Sequence, residues 1–236
     1  MSLASEVFEI LNELYSHENL NNKSDPTDEY FFIVLSTKTS HKIYEKTFEN
    51  LKKAVANDWN NVLIMSEIEI REIIRPCGLY QLKSKWIKKA AEMMREDFGL
   101  VTLEPLKTLS DEDAENYLLS LPGIGVKSAK AIMMYSLGKQ VLPVDTHTYR
   151  LAARLGLITP TLVLRNEKEI EKAHSILEPL IPPIYRKAFH VGAVILGRTV
   201  CTPRNPRHDA CPLKTYCPLA LGGNSFATGS PLSNAL

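Results

Sequence analysis

Residues 121–130 read Leu-Pro-Gly-Ile-Gly-Val-Lys-Ser-Ala-Lys, a short apolar stretch with two glycines one residue apart. Gly123 and Gly125 can adopt a positive φ, and neither has a Cβ that would keep an anion away from the backbone. Their amides, and the N-terminus of the helix that follows, are therefore predicted to bind a phosphate group. The stretch predicts a helix–hairpin–helix motif that holds a nucleic-acid backbone without reading its bases. A glycine-terminated helix followed by an ordinary turn is the alternative interpretation.

A second motif, Val-Asp-Thr-His, occupies residues 144–147 directly after Pro143. Proline disfavours a helical conformation at the residue before it, so Asp145 is predicted to be the N-cap of a new helix. Asp145 lies 18 residues after Lys127, which is in the predicted first turn of the hairpin's second helix. Asp145 as a plain cap is one interpretation. The other is that Lys127 supplies a nucleophilic amine and Asp145 its carboxylate partner.

The rest of the chain has the composition of an ordinary globular protein and a helical pattern of apolar residues. Its 236 residues include 44% hydrophobic and 23% charged residues, which argues against disorder or a coiled coil throughout. No apolar run reaches the ~18 residues of a membrane span and no cleavable leader is evident, so we expect a soluble intracellular protein. Apolar periodicity predicts helices at 42–57, 82–97, 126–137, 146–155, 167–180 and 184–197, with further starts at Ser66 and Ser110 and a stop at Gly78. The fold class is therefore predicted to be all-α.

Charge is unevenly distributed along a chain whose formal net charge is only +1. Residues 121–154 carry a net charge of +4 and residues 181–217 one of +5. This balance argues against a histone-like protein, but it permits one basic face that binds a polyanion. Ordinary solvated helix faces are the alternative.

Three of the four cysteines, Cys201, Cys211 and Cys217, fall within 17 residues. In a chain without an export signal, this clustering indicates a metal site rather than disulfides. The fourth, Cys77, is expected to pack as a small apolar residue.

Taken together, these motifs resemble the endonuclease III branch of helix–hairpin–helix DNA glycosylases, from about residue 4 to residue 220. The resemblance rests on residues 35–39 (Leu-Ser-Thr-Lys-Thr), 78–80 (Gly-Leu-Tyr), 121–127, 144–147 and Gly197-Arg198 leading into Cys201. It implies a six-helix barrel domain over 25–137, with the hairpin motif at 115–137. A second helical domain, built from 1–24 and 138–220, would carry a metal-cluster loop at 201–217, and 221–236 would be a flexible tail.

The resemblance also implies an activity. Lys127 would be the Schiff-base nucleophile and Asp145 its partner in a bifunctional glycosylase/AP-lyase of base excision repair, which removes damaged bases such as oxidised pyrimidines. The alternatives are a 5-methylcytosine-type glycosylase and a non-catalytic DNA-binding protein. The implied DNA contacts are Lys38, Leu79, Gly123, Gly125, Val126, Lys130, Arg204 and Arg207. Among these, Leu79 would be a wedge or simply a packed leucine, and Lys38, where the family has Gln, a probe of the opposite strand or a solvated lysine.

The family's cluster motif, Cys-x6-Cys-x2-Cys-x5-Cys, appears here as Cys201-x6-His208-x2-Cys211-x5-Cys217. The resemblance therefore implies a [4Fe-4S] cluster with His208 as an unusual ligand. Three cysteines and a histidine also suit zinc, and a loop without metal is the third interpretation. The expected partner is double-stranded DNA with a damaged base or an abasic site, and no membrane. We expect a monomer that is cytoplasmic and nucleoid-associated in a prokaryote, or nuclear otherwise.

Overall fold

The computed structural model describes residues 3–223, and within that range every regular element is helical. The predicted all-α fold class is thus confirmed. The α-helices are α1 (Leu3–Tyr15), α2 (Pro26–Ser36), α3 (His41–Ala54), α4 (Glu67–Ile74), α5 (Tyr80–Phe98), α6 (Asp111–Ser120), α7 (Val126–Ser136), α8 (Thr146–Arg154), α9 (Glu167–Leu177) and α10 (Arg186–Thr199). Most of the tail predicted at 221–236 lies outside the described residues.

Local sequence determines where several of these helices begin. Ser66 and Glu69 form the predicted capping box of α4, in which the serine side chain accepts from the Glu69 amide and the glutamate accepts from the Ser66 amide. Asp25 caps α2 by accepting from the amides of Thr27 and Asp28, and Pro26 occupies the first helical position, where no amide is needed.

The described chain divides into two compact units, one of which is the continuous segment Asn21–Lys139. This unit contains α2 to α7, and its core is built around α2, most of which is buried. Phe31 of α2 stacks on Trp59 with ring centroids 4.1 Å apart, while the Tyr30 hydroxyl donates to the carbonyl of Pro122 across 2.8 Å. The barrel domain predicted at 25–137 lies inside this unit. The barrel arrangement of its helices stays a prediction.

The other unit comprises the described residues before Asn21 and after Lys139, and it contains α1 and α8 to α10. Glycines allow its helices to approach closely. A Cβ at Gly192 of α10 would lie 2.7 Å from the Tyr15 ring of α1, and one at Gly197 would lie 2.3 Å from Nδ1 of His147 on α8. Among the described helices, none combines the length and the apolarity needed to cross a bilayer.

Candidate active site and metal loop

The predicted hairpin lies between α6 and α7, and its two glycines have different roles. Gly123 has φ +82°, and a Cβ there would lie 2.7 Å from the ring of Trp86 on α5. Gly125 is instead extended, with φ −112° and ψ 178°, and precedes α7 as its N-cap. Of the two glycines that can adopt a positive φ, Gly123 does so and Gly125 does not. Because Gly125 provides no side-chain cap, the positive end of the α7 dipole is not covered by a capping side chain.

Lys127 lies in the first turn of α7, half-buried, and its charge acts on a buried carboxylate. That carboxylate belongs to Glu29 of α2, which has no exposed surface and accepts hydrogen bonds from Asn22 Nδ2 and from the amide of Lys23, the latter across 2.6 Å. Burial raises the pKa of Glu29 to about 7, although its hydrogen bonds and the charges of Lys127 and Lys23 oppose the shift. Sequence reasoning missed Glu29, whose signal is an acidic residue directly before the apolar run 30–35.

The two other predicted contacts of α7 are buried. The ammonium of Lys130 lies 3.0 Å from the carboxylate of Glu115, and its side chain is only 10% exposed. Val126 is 9% exposed. The Lys130 side chain therefore forms an ion pair within this unit and does not extend into solvent. Of the three α7 side chains considered, Lys127 is the most accessible to DNA.

Asp145 is the N-cap of α8, as its sequence context predicts. Its Oδ1 accepts from the amides of His147 and Thr148, at 3.0 and 2.8 Å, and from the Thr148 hydroxyl at 3.0 Å. That hydroxyl also lies 3.2 Å from Nδ1 of the buried His190 on α10. Burial lowers the pKa of His147, against the opposing charge of Asp145. The structure thus holds the Asp145 carboxylate in one orientation.

The segments that carry Lys38 and Leu79 contact each other directly. Both residues have a left-handed backbone, with φ of 51° and 60°, and both are exposed. A Cβ at Gly78 would lie 2.3 Å from the carbonyl oxygen of Lys38. The prediction that Gly78 ends a helix is wrong, because α4 ends at Ile74. Gly78 is required instead by the close approach of the two segments.

The metal loop brings its four predicted ligands, Cys201, His208, Cys211 and Cys217, to the lining of one small cavity. Burial raises the pKa of the Cys211 thiol, and the nearby Cys201 and Cys217 raise it further. In the described part of the chain, no three His, Cys, Asp or Glu side chains converge on a point that could hold a single ion. Three cysteines and one histidine around one cavity form a donor set that suits an iron–sulfur cluster and also suits zinc.

Arginines surround this loop. Arg154 of α8 donates from Nη1 to Sγ of Cys201 at 3.0 Å and to the carbonyl of Thr202 at 2.9 Å, which fixes the loop against its helix. Arg207 donates from Nε and Nη2 to the carbonyl of Thr199. Arg204 is exposed and lines an adjacent surface cavity of about 790 Å³. Of the two predicted DNA contacts in the loop, Arg204 is thus free of the intramolecular bonds that hold Arg207.

Comparisons with known proteins match both parts of this arrangement. A family model described as HhH-GPD superfamily base excision DNA repair protein matches residues 32–179, and the iron-sulfur binding domain of endonuclease III matches residues 201–217. Endonuclease III of Buchnera aphidicola subsp. Baizongia pistaciae is 31% identical over 185 residues, which cover 78% of each chain. A DNA glycosylase/AP lyase of Arabidopsis thaliana is 26% identical over 200 residues, 76% of this chain and 14% of that protein. The solved structure of a trapped endonuclease III–DNA covalent intermediate has the same fold, with a TM-score of 0.73 at 20% identity over 94% of this chain and 98% of that one.

Proposed function

Because the chain belongs to the HhH-GPD superfamily of base excision DNA repair proteins, we propose that it is a bifunctional DNA glycosylase/AP-lyase acting through Lys127. Family membership makes it a DNA repair glycosylase. The lyase activity, the substrate and the residue roles are what we add. The observation that carries them is the position of Lys127, a half-buried amine in the first turn of the helix that follows the glycine hairpin.

Lys127 is a suitable nucleophile because a primary amine can form a Schiff base with a sugar carbon. Its place in the first turn of α7 puts the amine directly after the hairpin whose amides are proposed to hold the DNA backbone. A lysine whose only role was to hold DNA phosphate would gain nothing from partial burial, since burial disfavours its charge.

Asp145 is proposed to accept the lysine proton and to stabilise positive charge that develops on the sugar. Two amides and a hydroxyl already hold its carboxylate through Oδ1. A carboxylate fixed by hydrogen bonds needs no reorganisation during the reaction, which is the condition for effective electrostatic stabilisation.

The reaction would proceed in two steps once the damaged base has left the stack. First, the lone pair of Lys127 Nζ forms a bond to C1′ as the glycosidic bond breaks, and the base leaves with the bonding electrons and takes up a proton. The sugar ring then opens to give the Schiff base. Second, a proton leaves C2′ and the C3′–O bond breaks, so that β-elimination cuts the strand and releases a 5′-phosphate end.

The remaining predicted contacts are assigned to DNA positioning. Leu79, at 49% exposure, would fill the space left by the extruded base, and Lys38 would face the opposite strand. A lysine offers only donors there, whereas the amide of the family's Gln offers both a donor and an acceptor. Phosphate contacts from Arg204, Arg207 and the amides of Gly123 and Gly125 would fix register without selecting a sequence.

The metal loop is proposed to hold a [4Fe-4S] cluster through Cys201, His208, Cys211 and Cys217. The match of residues 201–217 to the iron-sulfur binding domain and the shared cavity support a cluster, while His208 as a ligand is our addition. In this position the cluster would keep the loop folded, so that Arg204 and Arg207 could contact DNA phosphates. Zinc and a loop without metal are the alternatives.

Oxidised pyrimidines are the proposed substrates, and the similarity to endonuclease III over 78% of each chain supports them. The similarity to the Arabidopsis DNA glycosylase/AP lyase favours, as a second candidate, a glycosylase for another modified base such as 5-methylcytosine. A purely DNA-binding protein is the remaining rival.

Two assays test the proposal. In the first, a duplex with one abasic site is incubated with the purified protein, and strand cleavage is followed with and without borohydride. A covalent protein–DNA adduct and a nicked strand are expected, and abasic DNA that stays intact would favour the binding-protein rival. In the second, duplexes carrying thymine glycol, 5-methylcytosine or a thymine–guanine mismatch are compared, and release of the oxidised pyrimidine is expected to be fastest.

A further inference from the structure

Lys83 of α5 is a lysine with no exposed surface. Its ammonium donates to the carbonyls of Leu35 and Thr37, at 2.8 and 2.6 Å, and to Oγ1 of Thr39 at 3.0 Å. An ammonium has three N–H groups, so these bonds use all of its donors. Burial lowers the pKa of Lys83 to about 8. The chain therefore buries a cation at this point, and its hydrogen bonds compensate the cost.

The oxygens that Lys83 binds all belong to the end of α2 and the segment that leads to α3. This segment carries Lys38. Thr39 also accepts, on the same Oγ1, a hydrogen bond from the amide of Gly78 at 3.1 Å. Gly78 precedes Leu79, so one threonine hydroxyl connects Lys83, the Lys38 segment and the Leu79 turn.

The two exposed positions are also strained. Lys38 and Leu79 both lie in the left-handed region, which residues other than glycine adopt only when the surrounding structure holds them there. Their segments are 41 residues apart in sequence, and their backbones touch where Gly78 meets the Lys38 carbonyl. The bonds to Lys83 and Thr39 are the polar contacts that hold this arrangement.

We propose that Lys83 is a positioning residue that joins the Lys38 segment and the Leu79 turn into one rigid element for opening a base pair. This rests on the proposed function, in which both residues enter the duplex. Unstacking a nucleotide costs free energy, and a side chain on a loose segment would yield instead of displacing the stack. Lys83 touches neither DNA nor the reacting atoms and acts through the two segments.

The same helix offers a matched control. Lys88 also donates to three carbonyls, those of Val62, Leu63 and Met65, at 3.2, 2.6 and 2.8 Å. These belong to the segment before α4, which carries none of the predicted DNA contacts. Lys83→Met and Lys88→Met thus each remove one ammonium and three hydrogen bonds from α5, but only the first releases the proposed wedge.

The experiment compares borohydride trapping of wild type, Lys83→Met and Lys88→Met on one abasic site, placed either in a duplex or in a single strand. A wedge matters only when an opposite strand is present. Lys83→Met is expected to slow trapping on the duplex at least tenfold and on the single strand less than threefold. Lys88→Met is expected to change both rates by the same factor. A 2-aminopurine opposite the abasic site should brighten less with Lys83→Met than with the other two proteins.

Thr39→Val provides a second variant in case Lys83→Met does not fold. It removes the shared hydroxyl but leaves two of the three bonds of Lys83, so a smaller duplex-selective loss is expected. Equal duplex-to-single-strand ratios for the Lys83 or Thr39 variant and the Lys88 variant would overturn the proposal. Absence of trapping by the wild type on both DNAs would instead overturn the proposed function.

Discussion

The hydroxyl of Thr148 donates a hydrogen bond to Oδ1 of Asp145 across 3.0 Å. Because a hydroxyl has a single hydrogen, the 3.2 Å contact between Oγ1 and His190 must run the other way, with Nδ1–H of the histidine as donor. The relationship therefore fixes the hydrogen on Nδ1 of a buried histidine and links that histidine to the proposed catalytic carboxylate.

Thr148→Val is expected to reduce the rate of Schiff-base formation by about tenfold, because Asp145 loses one of the hydrogen bonds that hold its Oδ1 and His190 loses the Thr148 oxygen as an acceptor. Stability should fall by about 1–2 kcal/mol, the usual cost of a broken buried hydrogen bond. Single-turnover trapping and urea unfolding measure the two effects. Thr146→Val, at an exposed position one residue after Asp145, is the control. Equal rates for the two variants would show that the hydrogen bond from Thr148 to Asp145 does not matter for the reaction.

Lys127→Ala is expected to abolish borohydride trapping on abasic DNA, since no amine remains to form the Schiff base. The matched change is Lys130→Ala, which removes a lysine one turn later on α7 that is bound to Glu115. That variant should lose some stability but still be trapped. Gel-shift measurement of the adduct decides between them, and undiminished trapping of Lys127→Ala would refute the assignment.

Gly123→Ala is expected to destabilise the protein by about 2–4 kcal/mol, because alanine would be strained at φ +82° and its Cβ would lie 2.7 Å from Trp86. Gly138 separates the two causes. It also has a positive φ, +69°, but a Cβ there meets nothing within 4 Å. Gly138→Ala should therefore cost about 1 kcal/mol, from the backbone alone. Chemical unfolding of both variants measures the difference, and equal losses would show that the Trp86 contact is unimportant.

Local patterns predicted the helices and caps well because those features depend on nearby residues. Ser66 and Asp145 are caps, as their contexts indicate, and Cys77 is buried as expected. What the sequence did not reveal depends on tertiary contacts. The helical period places Lys83 on the same face of α5 as the buried Ile87 and Met94, but no local pattern shows which oxygens would accept from a buried ammonium there.

The same limit applies to the site. The glycine pair at 123 and 125 indicates a hairpin, but the ring of Trp86 determines which glycine needs a positive φ. Likewise, the basic character of 121–154 suggested a surface for polyanions, whereas the Lys130 ammonium is bound to Glu115 of α6. Charge counted along a chain does not show which charges are already paired.

Cys211→Ser is expected to remove most bound iron and sulfide, because the serine hydroxyl is a much weaker ligand than a thiolate. His208→Cys restores the four-cysteine motif and should retain or increase the iron content. Iron and sulfide analysis with the visible absorption spectrum measures both. A colourless wild-type protein that contains stoichiometric zinc would contradict the cluster.

The last prediction concerns the pH dependence of stability that Glu29 produces. Its pKa is about 7 when folded, above the ordinary value of 4.5, since burial disfavours its charge. Below pH 4.5 the carboxyl is protonated in both the folded and the unfolded chain, so its ionisation does not change the stability. As the pH rises from about 4.5 to 7 the unfolded chain ionises first, so the folded state loses up to about 3 kcal/mol, and the loss is complete above pH 7.

Glu29→Gln should remove this dependence. Gln keeps the size of the side chain, and Asn22 can rotate its amide to accept where it now donates. The free energy of unfolding of the variant should match that of the wild type near pH 4.5 and exceed it as the pH rises to 8. Urea unfolding at several pH values measures both. Glu112→Gln, on the exposed surface of α6, changes the same charge without a buried group and is the control. A stability difference between Glu29→Gln and wild type that stays constant with pH would mean that Glu29 binds protons equally in the folded and unfolded states, and so that burial does not raise its pKa.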